Sequence, residues 1–333
     1  MHAVQRLRWL LGLAIVSLLL SFPRITPVSA EPIVLKVGIS ERLNTVLAIW
    51  MADAAGFYEA NGLKLEIINM NGGSRGAAEL AAGRIDAMHV GLSSVVQLNR
   101  TGGDLRIVAS LANVIRFTFF SGPGVKTAAD LKGGVVGVSS FGSESDSTVT
   151  FALKRLGLSR DDVTLKEYGG GTRRLAAVKS GEIKATAVNE PFSSMAREQG
   201  FNVLFDLVPE QIPWLFTAIV VRRGTIAERR DELTRFIRAT AEGNYLALTD
   251  EKRAKEVLAR QAGITDPKVL DISYNDFKSL SPQNIEPSEA AAKTILAQFP
   301  EVSQKVEDYV DSSILDNLRK DGVFTALAQK YRR

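Results

Sequence analysis

The chain has 333 residues, with 41 Lys or Arg against 37 Asp or Glu, two histidines and no cysteine. Lack of cysteine excludes disulfides, thiolate catalysis, Cys-ligated metals and a lipid-modified cysteine tether, and two histidines leave little for a zinc site or a histidine-based triad. The net charge of +4 includes only short basic pairs such as Arg222-Arg223 and Arg229-Arg230, with no basic helix face, so nucleic acid is not an expected partner.

Residues 1–30 read as a targeting segment. Arg6 and Arg8 make a basic start, Trp9 to Leu20 is apolar, and Val28-Ser29-Ala30 is a small-residue cleavage signal before Glu31. The apolar run is too short for a bilayer, which needs about 20 residues. Cleavage after Ala30 removes Arg6, Arg8, Arg24 and His2, leaving a charge close to +1 and His89 as the remaining histidine. A freely diffusing, monomeric periplasmic protein is expected. The remaining chain exceeds the roughly 250–300 residues at which single cores stop growing, so two lobes are expected.

Ile33 to Ser40 reads as a buried strand, followed by the loop Glu41 to Thr45 and a helix from Thr45 to Ala55. Phe57 to Leu63 turns into a strand over 64–68. Then comes a unit used twice. Gly72-Gly73-Ser74-Arg75 through Val90 matches Gly170-Gly171-Thr172-Arg173 through Val188 at a constant offset of 98, with eight identities in 19 positions. Each copy has two glycines for a tight turn, a hydroxyl residue suited to a helix cap, two turns of Ala/Leu/Val, a stop glycine (Gly83, Gly181) and an apolar strand. A helix over 94–100 and a strand over 105–111 follow. Phe117 to Phe120 reads as a strand leaving the first lobe.

The second lobe runs through a strand from Val135, a Ser-rich loop, a helix to Leu156, a strand over 164–168, the second repeat copy and a strand over 202–207. Phe216 to Val221 is the last strand. Helices over 226–248, 252–261, 267–280, 287–297 and 313–330 then fold back on lobe one. The expected fold is α/β, with two similar lobes: 31–119 with 217–333, and 120–216. A chain that crosses twice, near Phe119–Gly122 and Trp214–Thr217, makes a two-segment hinge over a cleft.

In open α/β sheets ligands bind beyond the carboxyl ends of the strands, where helix N-termini favour an oxyanion. The candidate ligand residues are Arg42, Leu43, Asn44, Gly73, Ser74, Ser93, Ser94, Ser143, Glu144, Asn189, Glu190 and Trp214. Ser74 and Thr172 are either helix caps or ligand donors. Ser93, Ser94 and Asn189 close strands and can donate to a solute. Arg42, Arg75 and Arg173 either fork onto an acidic group or stand as exposed helix-start arginines. Glu41, Glu144, Asp146 and Glu190 are either dipole-favoured acids or, if they line the pocket, a sign of a zwitterion or amine. Trp214 is an apolar wall or a hinge-packing residue, and His89 is either a satisfied core histidine or a cleft residue.

The stretches Val37-Gly38-Ile39, Ala54-Ala55-Gly56-Phe57-Tyr58, Gly72-Gly73-Ser74 with Gly83-Arg84-Ile85-Asp86-Ala87, Ala129-Asp130-Leu131-Lys132-Gly133 and Asn189-Glu190-Pro191 resemble, in order and spacing, the periplasmic solute-binding proteins of ABC importers in the nitrate/sulfonate/taurine/thiamine-precursor group. The resemblance implies a type II bilobed binding protein. It would take a small, anionic organic solute by hinge closure and pass it to a membrane permease; independently of the resemblance, no cofactor and no metal are expected. Glu41-Arg42-Leu43-Asn44 departs from the patterns many relatives carry after the first strand, so the solute is not carried over. The alternatives are a binding protein serving a membrane sensor, and an enzyme of the same fold. Against the enzyme, Gly137-Val138-Ser139-Ser140-Phe141-Gly142 is one residue too long for a nucleophile elbow, and no phosphate-binding glycine motif sits at a strand–helix junction.

Overall fold

The computed structural model describes residues 31–332, so the targeting segment lies outside the described residues. In the first sheet, β1 (Ile33–Ile39), β2 (Leu63–Asn69), β3 (Ala87–Val90) and β4 (Leu105–Val114) run parallel. In the second, β5 (Thr118–Ser121), β6 (Val135–Val138), β7 (Thr164–Glu167), β8 (Ala185–Val188) and β9 (Asn202–Asp206) assemble in the order β7-β6-β8-β5-β9. The last strand, β10 (Pro213–Arg222), returns to the first sheet, giving the order β2-β1-β3-β10-β4. Each sheet therefore has one antiparallel strand in the same place, β10 between β3 and β4 and β5 between β8 and β9. The two sheets share one plan, and the 19-residue repeat supplies a helix followed by the strand β3 in one and β8 in the other.

The helices follow in chain order: α1 (Leu47–Ala54), α2 (Phe57–Ala60), α3 (Gly73–Ala81), α4 (Leu92–Asn99), α5 (Glu144–Arg155), α6 (Gly171–Lys179) and α7 (Phe192–Glu198). Next are α8 (Arg223–Glu228), α9 (Arg230–Thr249), α10 (Glu251–Ala262), α11 (Pro267–Leu280), α12 (Glu289–Leu296), α13 (Ser313–Lys320) and α14 (Val323–Lys330). Two helices expected from periodicity are each broken. The 226–248 segment changes direction at Arg229, and the 313–330 segment at Gly322, whose φ of 74° is the left-handed conformation that stops a helix.

Burial explains the local composition. Every residue of β3 and β8 is buried, because helices cover both faces of a mostly parallel sheet. Helix α1 buries Leu47 to Ala52 without a polar face, since both α9 and α10 lie against it. The contact is set by Gly243 of α9, where an added Cβ would fall 2.4 Å from the Ala48 carbonyl and 2.7 Å from the Ala52 amide nitrogen. Gly→Ala inside an exposed helix gains about 1 kcal/mol. Here overpacking reverses the sign, and Gly243→Ala is expected to cost about 1–3 kcal/mol in urea denaturation. A neutral or stabilising result would mean that α1 and α9 separate freely.

The tail is anchored on the first sheet. Ile107 donates its N–H to Tyr309 O and accepts from Asp311 N, both at 2.8 Å. The two crossings lie side by side, with Ile115 N donating to Ile212 O and Leu207 N to Phe117 O, each at 3.1 Å. Sheet membership shifts the lobe edges by a few residues. Phe119, read from sequence as the end of lobe one, belongs to β5 in the second sheet, and Trp214, read as lobe two, belongs to β10 in the first. The apolar runs show that a strand is present there, but only pairing selects its sheet.

Candidate functional site

The carboxyl ends of the parallel strands of both sheets face each other across a cleft beside the crossings. Ser40, Glu41, Leu43, Gly73 and Gly91 line one side of its inner cavity. Ser139, Ser143, Glu144, Ser145 and Asn189 line the other, with Phe117, Phe216 and Thr217 at the back. The cavity is about 30 Å³, the space of one or two water molecules. A larger solute enters only if the lobes part.

Two carboxylates cross the cleft in opposite directions. Glu41, just after β1, accepts from the Gly171 N–H at the start of α6 and from Arg174 Nη2, each at 2.8 Å. Arg174 is itself held in the second lobe, donating Nε to Gly169 O at 3.0 Å and Nη1 to Ala187 O. In the other direction Glu144, at the start of α5, accepts from Ser93 N at 2.7 Å, Ser93 Oγ at 3.0 Å and Trp214 Nε1 at 2.7 Å. An added Cβ on Gly91 would sit 2.3 Å from Glu144 Oε1, so only glycine admits the carboxylate there. Both acids cap helix N-termini of the opposite lobe, where the helix dipole favours negative charge. Two of the anion-favouring positions expected from sequence are thus occupied by the protein's own side chains.

The two acids differ in charge balance. Glu41 has Arg174 as a buried counter-ion, whereas all the hydrogen-bond partners of Glu144 are neutral donors. Burial therefore raises Glu144 to about 7, against the pull of Trp214 and Ser93. Further polar atoms stand without partners among the described residues: Asn189 Nδ2 and Thr217 Oγ1 on cavity-lining residues, and Ser94 Oγ beside Gly73. Buried orphan groups of this kind cost free energy unless a ligand or water answers them.

The candidate residues separate into groups. Leu43, Gly73, Ser143, Glu144 and Asn189 line the inner cavity. Ser143 also joins a hydroxyl cluster with Ser139 and Ser145 while capping α5. Ser93 holds Glu144, and Ser74 is not a cap: Gly72 and Gly170 occupy those positions, so each helix begins one residue earlier than the hydroxyl. The Ser74 hydroxyl instead crosses the cleft to Phe141 O at 2.6 Å and Ser140 Oγ at 2.7 Å.

Three candidates turn away from the inner cavity. Asn44 gives its amide to Ser273 O and Asp276 Oδ2, tying the loop after β1 to α11. Glu190 accepts from Ser193 and Ser194 and faces the Asp276 side of the cleft, where burial raises it above the usual carboxylate range and the like charge of Asp276 adds to the effect. Trp214 packs edge-to-face on Phe151 and positions Glu144. Arg42 stands at the rim, bonded to Gln261 O at 2.7 Å.

His89 is fully buried, but neither ring nitrogen has a hydrogen-bond partner in the described structure, so it is a core histidine and not a satisfied one. Burial pulls it down to about 4, partly offset by the nearby Thr45 backbone. Among the described residues no group of three His, Asp or Glu is placed to hold a metal. The sequence reading missed Arg174, although the signal was present: Gly171, Arg174, Leu175 and Val178 form the buried stripe of α6, and an arginine on such a stripe needs a partner.

The fold and the cleft define a bilobed binding-protein architecture. The family model described as NMT1/THI5 like matches residues 44–254, and the chain belongs to that family. It is 28% identical over 213 residues to the riboflavin-binding protein RibY of Chloroflexus aurantiacus, an alignment covering 61% of this chain and 59% of that one. The chain thus spans less than two thirds of the length of this curated relative. Among solved structures, a protein of Bordetella bronchiseptica RB50 superposes with a TM-score of 0.76 at 20% identity, covering 91% of this chain and 99% of that one. The alkanesulfonate-binding protein SsuA of Xanthomonas axonopodis pv. citri, bound to MOPS, gives 0.70 at 20% identity over 85% and 99%. At such identities these likenesses establish the fold.

Proposed function

We propose that the protein is the solute-binding component of an ABC import system, exported to the periplasm by its first 30 residues and working as a monomer. One small solute is captured between the lobes and delivered to a membrane permease. The observation that carries the proposal is the set of hydrogen bonds between the lobes, Glu41 with Arg174, Glu144 with Ser93, and Ser74 with the Phe141 carbonyl, of which Glu41, Arg174 and Glu144 line one cavity beside paired crossing segments. Contacts of this kind favour the closed arrangement, and a solute that adds to them shifts the lobes toward it.

The inner cavity favours a donor-bearing group over a bare oxyanion. Glu144 accepts hydrogen bonds and has no counter-ion, Asn189 and Thr217 can both donate and accept, and Phe117 and Phe216 supply apolar walls. A planar heterocycle with ring N–H or amino groups suits this set, and the riboflavin of the Chloroflexus relative is one such ring. The earlier expectation of an anionic solute is therefore not extended to the inner cavity.

The test is a thermal-shift and calorimetric screen of residues 31–333, refolded free of ligand, against riboflavin, aminopyrimidines, amino acids, alkanesulfonates and nitrate. A ligand at 100 times its dissociation constant adds about 2.7 kcal/mol of stability. A hit that Asn189→Ala weakens at least tenfold, recovered chemically unchanged, is the expected result. A hit that is converted would move the protein to catalysis. Partner genes encoding a sensor kinase in place of a permease and ATPase would move it to signalling.

A further inference from the structure

A second pocket opens at the mouth of the same cleft, and its chemistry is opposite to that of the inner cavity. It has a volume of about 260 Å³, against about 30 Å³ inside. Three arginines line it from both lobes: Arg42 after β1, Arg75 in the first turn of α3 and Arg173 in the first turn of α6. Among the described residues none of the three makes an ion pair, and the side chains of Arg75 and Arg173 have no hydrogen-bond partner. The one acid lining the pocket is Glu41, whose oxygens are already bound by Arg174 and Gly171 N. Asn69, Asn71 and the ring of Phe192 complete the wall.

Resting on the solute-binding reading above, we infer that the solute carries an anionic group, a phosphate, sulfonate or carboxylate, which Arg42, Arg75 and Arg173 hold in this outer pocket while its donor-bearing end enters the inner cavity. Arg75 and Arg173 are corresponding residues of the two repeat copies, so the similar plans of the lobes bring like charges to one pocket. Bringing them together without an anion opposes closure, and an anion between them reverses the sign. Guanidinium forks match planar and tetrahedral oxyanions two bonds at a time. The anionic group thereby couples occupancy to closure, and Glu144 selects at the other end of the molecule.

The experiment uses residues 31–333 and inorganic phosphate as the probe, with ionic strength held constant by chloride. Phosphate is expected to raise the thermal midpoint saturably and to reduce the radius of gyration in small-angle scattering. Arg75→Gln/Arg173→Gln, both exposed positions, should remove both effects while retaining the wild-type circular dichroism spectrum. Absence of a saturable phosphate effect, or an equal effect in the variant, overturns the inference. A matched pair, riboflavin and its 5′-phosphate, separates the two readings. Tighter binding of the phosphate form by about tenfold, collapsing to unity in the variant with riboflavin affinity unchanged, supports both. Equal binding of the pair by wild type and variant overturns the anion pocket and leaves the solute reading intact. Arginine-dependent phosphate binding with no hit in the solute panel supports the pocket and counts against that reading.

Discussion

Arg174→Met is expected to part the lobes, raising the radius of gyration and lowering the urea midpoint together. The Arg174 side chain is 1% exposed and its partner Glu41 is 9% exposed, so the pair is buried in the closed cleft. Removing one member of a buried pair strands the other and costs about 3–5 kcal/mol. In this protein the stranded charge has an escape that a core residue lacks. Glu41 and Arg174 belong to different lobes, so opening returns the carboxylate to water. Part of the penalty therefore appears as a shifted open–closed equilibrium and only the remainder as lost global stability. Glu41→Gln is the milder variant, because its amide oxygen still accepts from Gly171 N. An unchanged scattering profile and midpoint in Arg174→Met would show that the pair does not hold the lobes together.

The pH dependence of stability should carry two large contributions of opposite sign. Glu144 has its folded value raised from 4.5 to about 7, so the native state keeps a proton that the unfolded chain has released. This contribution is fully present below pH 4.5 and is lost as pH rises through 7. His89 is lowered from 6.5 to about 4 and stays neutral in the core while the unfolded chain takes up a proton. Its contribution is fully present above pH 6.5 and is lost as pH falls through 4. Each is worth about 3 kcal/mol. Between pH 4.5 and 6.5 they oppose each other, and the wild-type curve should show little of either. Glu144→Gln should expose a stability that climbs with pH up to 6.5, and His89→Leu one that falls between 4.5 and 7. Parallel curves for wild type and Glu144→Gln would mean that Glu144 titrates in the ordinary carboxylate range.

Much of the architecture was legible because it depends on short-range rules. Alternating glycine stops, apolar strand runs and the 19-residue repeat mark out two similar strand–helix–strand stretches, and residues after strand ends come together whenever such units form a sheet. Hence Glu41, Leu43, Gly73, Ser143, Glu144 and Asn189 meet at one cavity. The helix break at Gly322 was within reach of the same rules, since Asp321-Gly322 is a stop signal inside a periodic run.

The direction of each polar side chain was not legible, because it depends on what distant parts of the chain, in the same lobe or the opposite one, present. Ser74 was a cap by local pattern, but the helix starts at Gly73 and the hydroxyl finds Phe141 across the cleft. Asn44 had the chemistry of a ligand donor until α11, far along the chain, supplied Ser273 and Asp276. The four-residue context of an arginine is nearly the same at Arg173 and Arg174, yet one faces an open pocket and the other is buried against Glu41. The sequence by itself determined the elements, their repetition and which loops gather at the cleft, since propensity and periodicity act over a few residues. Only the tertiary structure decided which charges pair, which remain free and which end of the cleft is acidic or basic, because those outcomes depend on groups 51 to 133 residues apart meeting across the interface between the lobes.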